Sequence, residues 1–77
     1  MLNETQRRAV RRAYRNLRDD RALTALETAA LAGVDPTLYS KIENGWRVPT
    51  PEQRKAIARV LRVRVADLPS VAIQEAA

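Results

Sequence analysis

The sequence predicts an all-α domain of four to five short helices. Apolar residues recur at helical spacing, as in Val10, Ala13, Tyr14 and Leu17. Residues that favour helix starts stand at Asn3, Thr24, Asp35 and Thr50. The chain holds three aromatic residues, Tyr14, Tyr39 and Trp46, so Ala, Leu and Val must build most of the core. Such a core suits closely packed short helices better than sheets.

The first helix is expected from Glu4 to Asp20, capped by Asn3 with Gln6 as its capping-box partner. Arg7, Arg8, Arg11, Arg12, Arg15 and Arg18 lie mostly off its apolar stripe, which makes the opposite side densely cationic. Thr24 and Glu27 form a second capping box and open a helix through Ala32, which Gly33 stops in the left-handed conformation. Asp35 then caps a third helix, with Pro36 at the first position, where its missing N–H costs nothing. That helix runs to Glu43 and ends at Asn44 and Gly45. Thr50, Pro51 and Gln53 repeat the device for a fourth helix, whose Ala56, Ile57, Val60 and Leu61 are expected to face inward. A last short helix is expected from Val65 to Leu68, before Pro69. The domain then occupies residues 1–68. Residues 69–77, with Val71 and Ile73, form a tail that is either frayed or an oligomerisation strap.

Composition removes several classes of function. No Cys is present, so there is neither a disulfide framework nor a thiolate zinc site. The absence of His removes the commonest general base and metal ligand. Asp19 and Asp20 close the first helix among arginines, and Glu27 belongs to a capping box. No Gly-rich phosphate loop or metal-spaced cluster appears. The expectation is a non-enzyme with no catalytic residue, metal or cofactor. No apolar run reaches the roughly 18 residues that a membrane span needs, and the start does not read as a signal peptide. The expected location is the cytoplasm. Lys and Arg outnumber Asp and Glu by 14 to 9, a net charge of +5. That balance fits a polyanion such as nucleic acid, although a solvated Arg-rich surface would look the same.

The most informative stretch is Leu23 to Gly45. Two short helices joined by Ala32-Gly33-Val34-Asp35 make a helix-turn-helix, in which the second helix enters the major groove and the first crosses the phosphate backbone. Gly33 supplies the corner, and Ala29 permits close packing. Val34, Tyr39 and Ile42 are expected to pin the second helix so that its other face points outward.

The residues Leu23-Thr24, Ala29, Leu31-Ala32-Gly33-Val34, Ser40-Lys41-Ile42-Glu43-Asn44-Gly45, Arg47 and Pro49-Thr50 follow a known pattern, with Ile57-Ala58, Leu61 and Val63 downstream. Over about residues 14–68 the chain resembles the lambda-repressor-like (Cro-type, XRE) helix-turn-helix family. The resemblance implies an Arg18–Glu43 ion pair between the first and third helices. It implies base contacts from Pro36, Thr37, Ser40 and Lys41, and phosphate contacts from Thr24, Asn44, Arg47 and Arg15. It further implies sequence-specific binding of double-stranded DNA in transcriptional control, most often as a repressor. A homodimer on a palindromic operator is expected, with Val65, Leu68, Val71 and Ile73 at the dimer surface. No sensor domain is expected to follow, so regulation would come from protein concentration, as in phage Cro-like switches, restriction controllers or autoregulating antitoxins.

Some positions depart from the family. Ala25 stands where Gln is common, and Pro36 where a long polar side chain is common, so base readout looks thin. Thr28 and Arg54 replace the usual Leu and weaken the core, and Trp46 is expected to cover Arg54. The alternative reading is a protein-binding adaptor or antitoxin-like inhibitor that uses Leu26 and Leu38, both expected to be exposed.

Overall fold

A computed structural model describes residues 2–69. Four α-helices follow one another: α1 (Glu4–Asp20), α2 (Ala25–Ala32), α3 (Pro36–Glu43) and α4 (Pro51–Leu61). The expected fifth helix is a single 3₁₀ turn, Val65–Asp67. No strand occurs among the described residues. Val71 and Ile73, expected at a dimer surface, lie outside them.

The helix starts are locally determined. Asn3 Oδ1 accepts from the Gln6 N–H at 2.8 Å, and Gln6 Oε1 accepts from the Asn3 N–H at 2.9 Å. Thr24 with Glu27 and Thr50 with Gln53 make the same reciprocal pair. Asp35 accepts from the N–H groups of Thr37 and Leu38. Each such cap stabilises its helix by about 1 kcal/mol. The helix ends are less orthodox. Gly33 (φ 72°) closes α2, but Ala22 (φ 55°) and Arg62 (φ 59°) take the left-handed conformation after α1 and α4. Both close the Schellman pattern: the Leu23 N–H donates to the Arg18 carbonyl and the Val63 N–H to the Ala58 carbonyl, each at 3.0 Å.

Val10 and Tyr14 from α1, Ala29 from α2, Tyr39 and Ile42 from α3, and Ile57, Ala58 and Leu61 from α4 make the core. Leu2, Val34 and Leu68 complete it. Ala29 is fully buried where α2 packs on α3 and α4. The inward face of α4 is Ile57, Ala58 and Leu61, while Ala56 and Val60 are half-buried, a rotation of the expected stripe by part of a turn. Leu68 is 3% exposed and belongs to the core of its own chain, so it is not surface available to a partner.

The two departures from Leu are accommodated by hydrogen bonding. Thr28 is wholly buried, and its hydroxyl donates to the Thr24 carbonyl one turn back at 2.9 Å. Arg54 donates to the Pro69 and Val65 carbonyls at 3.2 and 3.1 Å, tying the 3₁₀ turn to α4. Trp46 does not cover it. The indole lies instead against Arg7, whose guanidinium carbon is 3.8 Å from the ring centroid.

Candidate nucleic-acid interface

α2 and α3 meet at a corner held by Gly33 and by the Val34 N–H, which donates to the Ala29 carbonyl at 2.9 Å. Val34 itself is buried, so the corner is nailed to the core. α3 is divided lengthwise. Tyr39, Ile42 and Glu43 are buried, whereas Pro36, Thr37, Ser40 and Lys41 are all exposed. These four fall at the spacing of one helical face, so the structure brings together the residues named for base contact.

The buried edge of α3 is anchored electrostatically. Arg18 Nε donates to Glu43 Oε1 at 2.8 Å and Nη2 to Oε2 at 2.9 Å, a two-pronged pair between side chains 12% and 9% exposed. Arg18 Nη1 also donates to the Leu23 carbonyl at 3.1 Å. One guanidinium thus joins the end of α1, the approach to α2 and the end of α3. Its hydrogen bond to Glu43 raises its pKa above the ordinary guanidinium value.

Two tyrosines lie beside this pair, edge to face with centroids 6.3 Å apart. Burial pushes the Tyr14 phenol up to about 12, with the Arg54 charge opposing and the Glu43 charge adding. Burial, then the negative charge of Glu43, also pushes the Tyr39 phenol up. The Tyr39 hydroxyl is buried with no partner in hydrogen-bonding geometry among the described residues.

Beyond α3 the chain turns sharply. The Trp46 and Arg47 N–H groups both donate to the Lys41 carbonyl, at 2.8 and 3.2 Å, so the loop hangs from the same residue whose side chain faces outward. Asn44 is half-buried and its Nδ2 donates to the Ser40 carbonyl at 2.8 Å. Arg47 and Arg15 are exposed. Thr24 is exposed as a residue, but its hydroxyl accepts from the Glu27 N–H. The resulting surface offers hydrogen-bond donors and positive charge.

Sequence reasoning missed Arg7 as an individual. Its Nη1 donates to the Leu2 carbonyl at 2.8 Å, its guanidinium covers Trp46, and its backbone abuts Gly45. No local spacing signals a contact between residues 7 and 46. Leu31, at 66% exposed, was also missed as an apolar surface residue. Leu26 is 65% exposed as expected, but Leu38 is half-buried and packs on the core, so the two do not form an open patch together.

A family model described as helix-turn-helix matches residues 15–68. That span runs from the last turns of α1 through the 3₁₀ turn and includes both members of the Arg18–Glu43 pair. No curated protein and no solved structure matches the chain.

Proposed function

Since the chain belongs to the lambda-repressor-like, XRE-type helix-turn-helix family and is thereby a DNA-binding transcription regulator, we propose that it is a small repressor that reads a palindromic operator as a homodimer. The observation that carries this reading is the division of α3: one face is locked into the core and the other presents Pro36, Thr37, Ser40 and Lys41 to solvent. Lys41 is the principal base reader, Thr37 and Ser40 add hydrogen bonds, and Pro36 offers apolar contact. Arg47, Asn44, Thr24 and Arg15 contact phosphate and set the register. With Ala25 and Pro36 limiting direct readout, phosphate contacts and DNA shape supply much of the affinity.

Dimerisation follows from reach. α3 has eight residues, a rod of about 12 Å, and spans few base pairs. Two such helices about 34 Å apart read two half-sites. Val65, 37% exposed, is the described residue left on the surface first expected for the dimer.

Fluorescence anisotropy tests the reading, with the DNA upstream of the chain's own coding sequence against a scrambled duplex. Wild type should prefer the upstream DNA by about tenfold or more, and Lys41→Ala should cost about 1–3 kcal/mol of that preference. Equal weak binding to both duplexes, unchanged by Lys41→Ala, would overturn autoregulation through α3. The exposed Leu26 and Leu31 on α2 favour a second reading, a protein-binding adaptor. An apolar protein contact would respond little to salt, whereas DNA binding weakens steeply with it.

A further inference from the structure

We propose that Arg7 and Trp46 form a clamp that sets the position of Arg47 on the DNA backbone, so that two residues outside the recognition helix govern phosphate contact. The proposal rests on the reading of Arg47 as a phosphate ligand.

The loop after α3 has no regular structure and carries an exposed arginine, a combination that by itself would leave the cation mobile. Three contacts from one α1 residue oppose that mobility. The Arg7 guanidinium lies 3.8 Å from the Trp46 ring centroid, a cation–π stack. Its Nη1 is held by the Leu2 carbonyl at 2.8 Å, and Leu2 is itself buried, so the stacking cation cannot swing away cheaply. The Arg7 backbone and stem lie so close to Gly45 that a Cβ there would meet Arg7 Cγ at 2.9 Å and Cα at 3.0 Å. From the other side, the Trp46 and Arg47 N–H groups share the Lys41 carbonyl. Residues 45–47 are therefore gripped between α1 and the end of α3, immediately before the Arg47 side chain.

Trp46 is 53% exposed, more than its contribution to the core would require. The covered half of the indole lies against the Arg7 guanidinium. Here it stiffens a loop whose next residue points a charge outward. With its guanidinium engaged by the ring and by the Leu2 carbonyl, Arg7 acts here as a positioning residue rather than as a phosphate ligand.

The salt dependence of DNA binding separates positioning from direct contact, because each phosphate contact contributes about 0.9 to the log–log slope. The probe is a fluorescent mixed-sequence duplex, since phosphate contacts do not depend on base order. Arg47→Ala should make the slope shallower by about 0.9. Trp46→Leu removes no charge, yet should produce the same loss, and Trp46→Leu combined with Arg47→Ala should lose no more than either alone. Arg7→Met, which keeps the stem beside Gly45, should match Trp46→Leu singly and in combination with it. It also serves as the independent test should Trp46→Leu lose helical circular dichroism.

A wild-type slope in Trp46→Leu, with Arg47→Ala shallower, overturns the clamp and leaves the Arg47 contact standing. A loss of about 1.8 in the Arg7→Met, Trp46→Leu double variant makes Arg7 itself a phosphate ligand and overturns its positioning role. An unchanged slope in Arg47→Ala overturns the phosphate reading and the clamp with it.

Discussion

Arg18 ties the end of α1 to the approach to α2 and to the end of α3. Its guanidinium satisfies both oxygens of Glu43 and the Leu23 carbonyl while nearly excluded from water. A pair this buried adds little over well-packed apolar residues, but breaking it leaves one charge stranded. Glu43→Ala should therefore cost about 3–5 kcal/mol, a large share of what a domain this small possesses. Arg18→Met together with Glu43→Leu should cost clearly less than the sum of the two single changes. Urea denaturation of the four proteins checks this, and additive losses would show that the pair is not coupled. Among the described residues the neighbouring Tyr39 hydroxyl is buried without a partner in hydrogen-bonding geometry, so Tyr39→Phe should be at least as stable as wild type.

At the scale of the element, the caps and the turn were legible because their information is local. Asn3 and Gln6, Thr24 and Glu27, and Thr50 and Gln53 each stand three residues apart, and the geometry that joins them is that of a single helical turn. The outward face of α3 was legible for the same reason, once Val34, Tyr39 and Ile42 had been assigned to the core. What the sequence hid depends on distance along the chain or on an atypical residue. Trp46 stacks on Arg7 because the end of α3 returns to the first turns of α1, a meeting that no pattern within either segment announces. Leu38 reads as exposed from the register of the family it resembles, yet it is half-buried against the core.

The two glycines make the same distinction measurable. Gly33 has open space where a Cβ would project, whereas a Cβ on Gly45 would collide with the backbone and stem of Arg7. Both have positive φ, so Gly33→Ala should cost about 1–2 kcal/mol, the strain of a left-handed alanine alone. Gly45→Ala should cost more and should also weaken DNA binding, because α1 must retreat from the loop. Thermal melts beside anisotropy measure both effects. Equal melting losses would mean that α1 yields freely.

For the whole molecule, the described residues measure 33 × 22 × 22 Å, with a radius of gyration of 11.4 Å. The long dimension is close to one turn of duplex, about 34 Å. Under the proposed dimer, copies of this length could sit side by side with their centres one turn apart, each on its own half-site. Whole-molecule stability has its own signature at high pH. In the unfolded chain the phenol of Tyr14 ionises around its ordinary value of 10.0, whereas in the fold it keeps its proton up to about 12. The folded state then binds more protons, and stability falls as pH rises across that window. Each buried tyrosine contributes a slope of about 1.4 kcal/mol per pH unit there, and Tyr39 acts in the same direction. Urea midpoints at a series of pH values above 9.5 should decline steeply, and Tyr39→Phe should lessen the decline. A flat profile would show that the phenols are solvated.

The left-handed Ala22 and Arg62 carry a consequence for how this protein can change. Both sit where glycine would relax the backbone, and both line one hollow with Leu31 and Val60 to which α3 contributes no residue. The fold is thus held below its own ceiling at two places that do not touch the readout surface. A lineage that altered Thr37, Ser40 or Lys41 to read a different operator would have a reserve on which to draw. Should a new recognition residue loosen the domain, glycine at either helix end could restore roughly 0.5–1 kcal/mol after its own entropic cost. Specificity and robustness are in this sense separately adjustable.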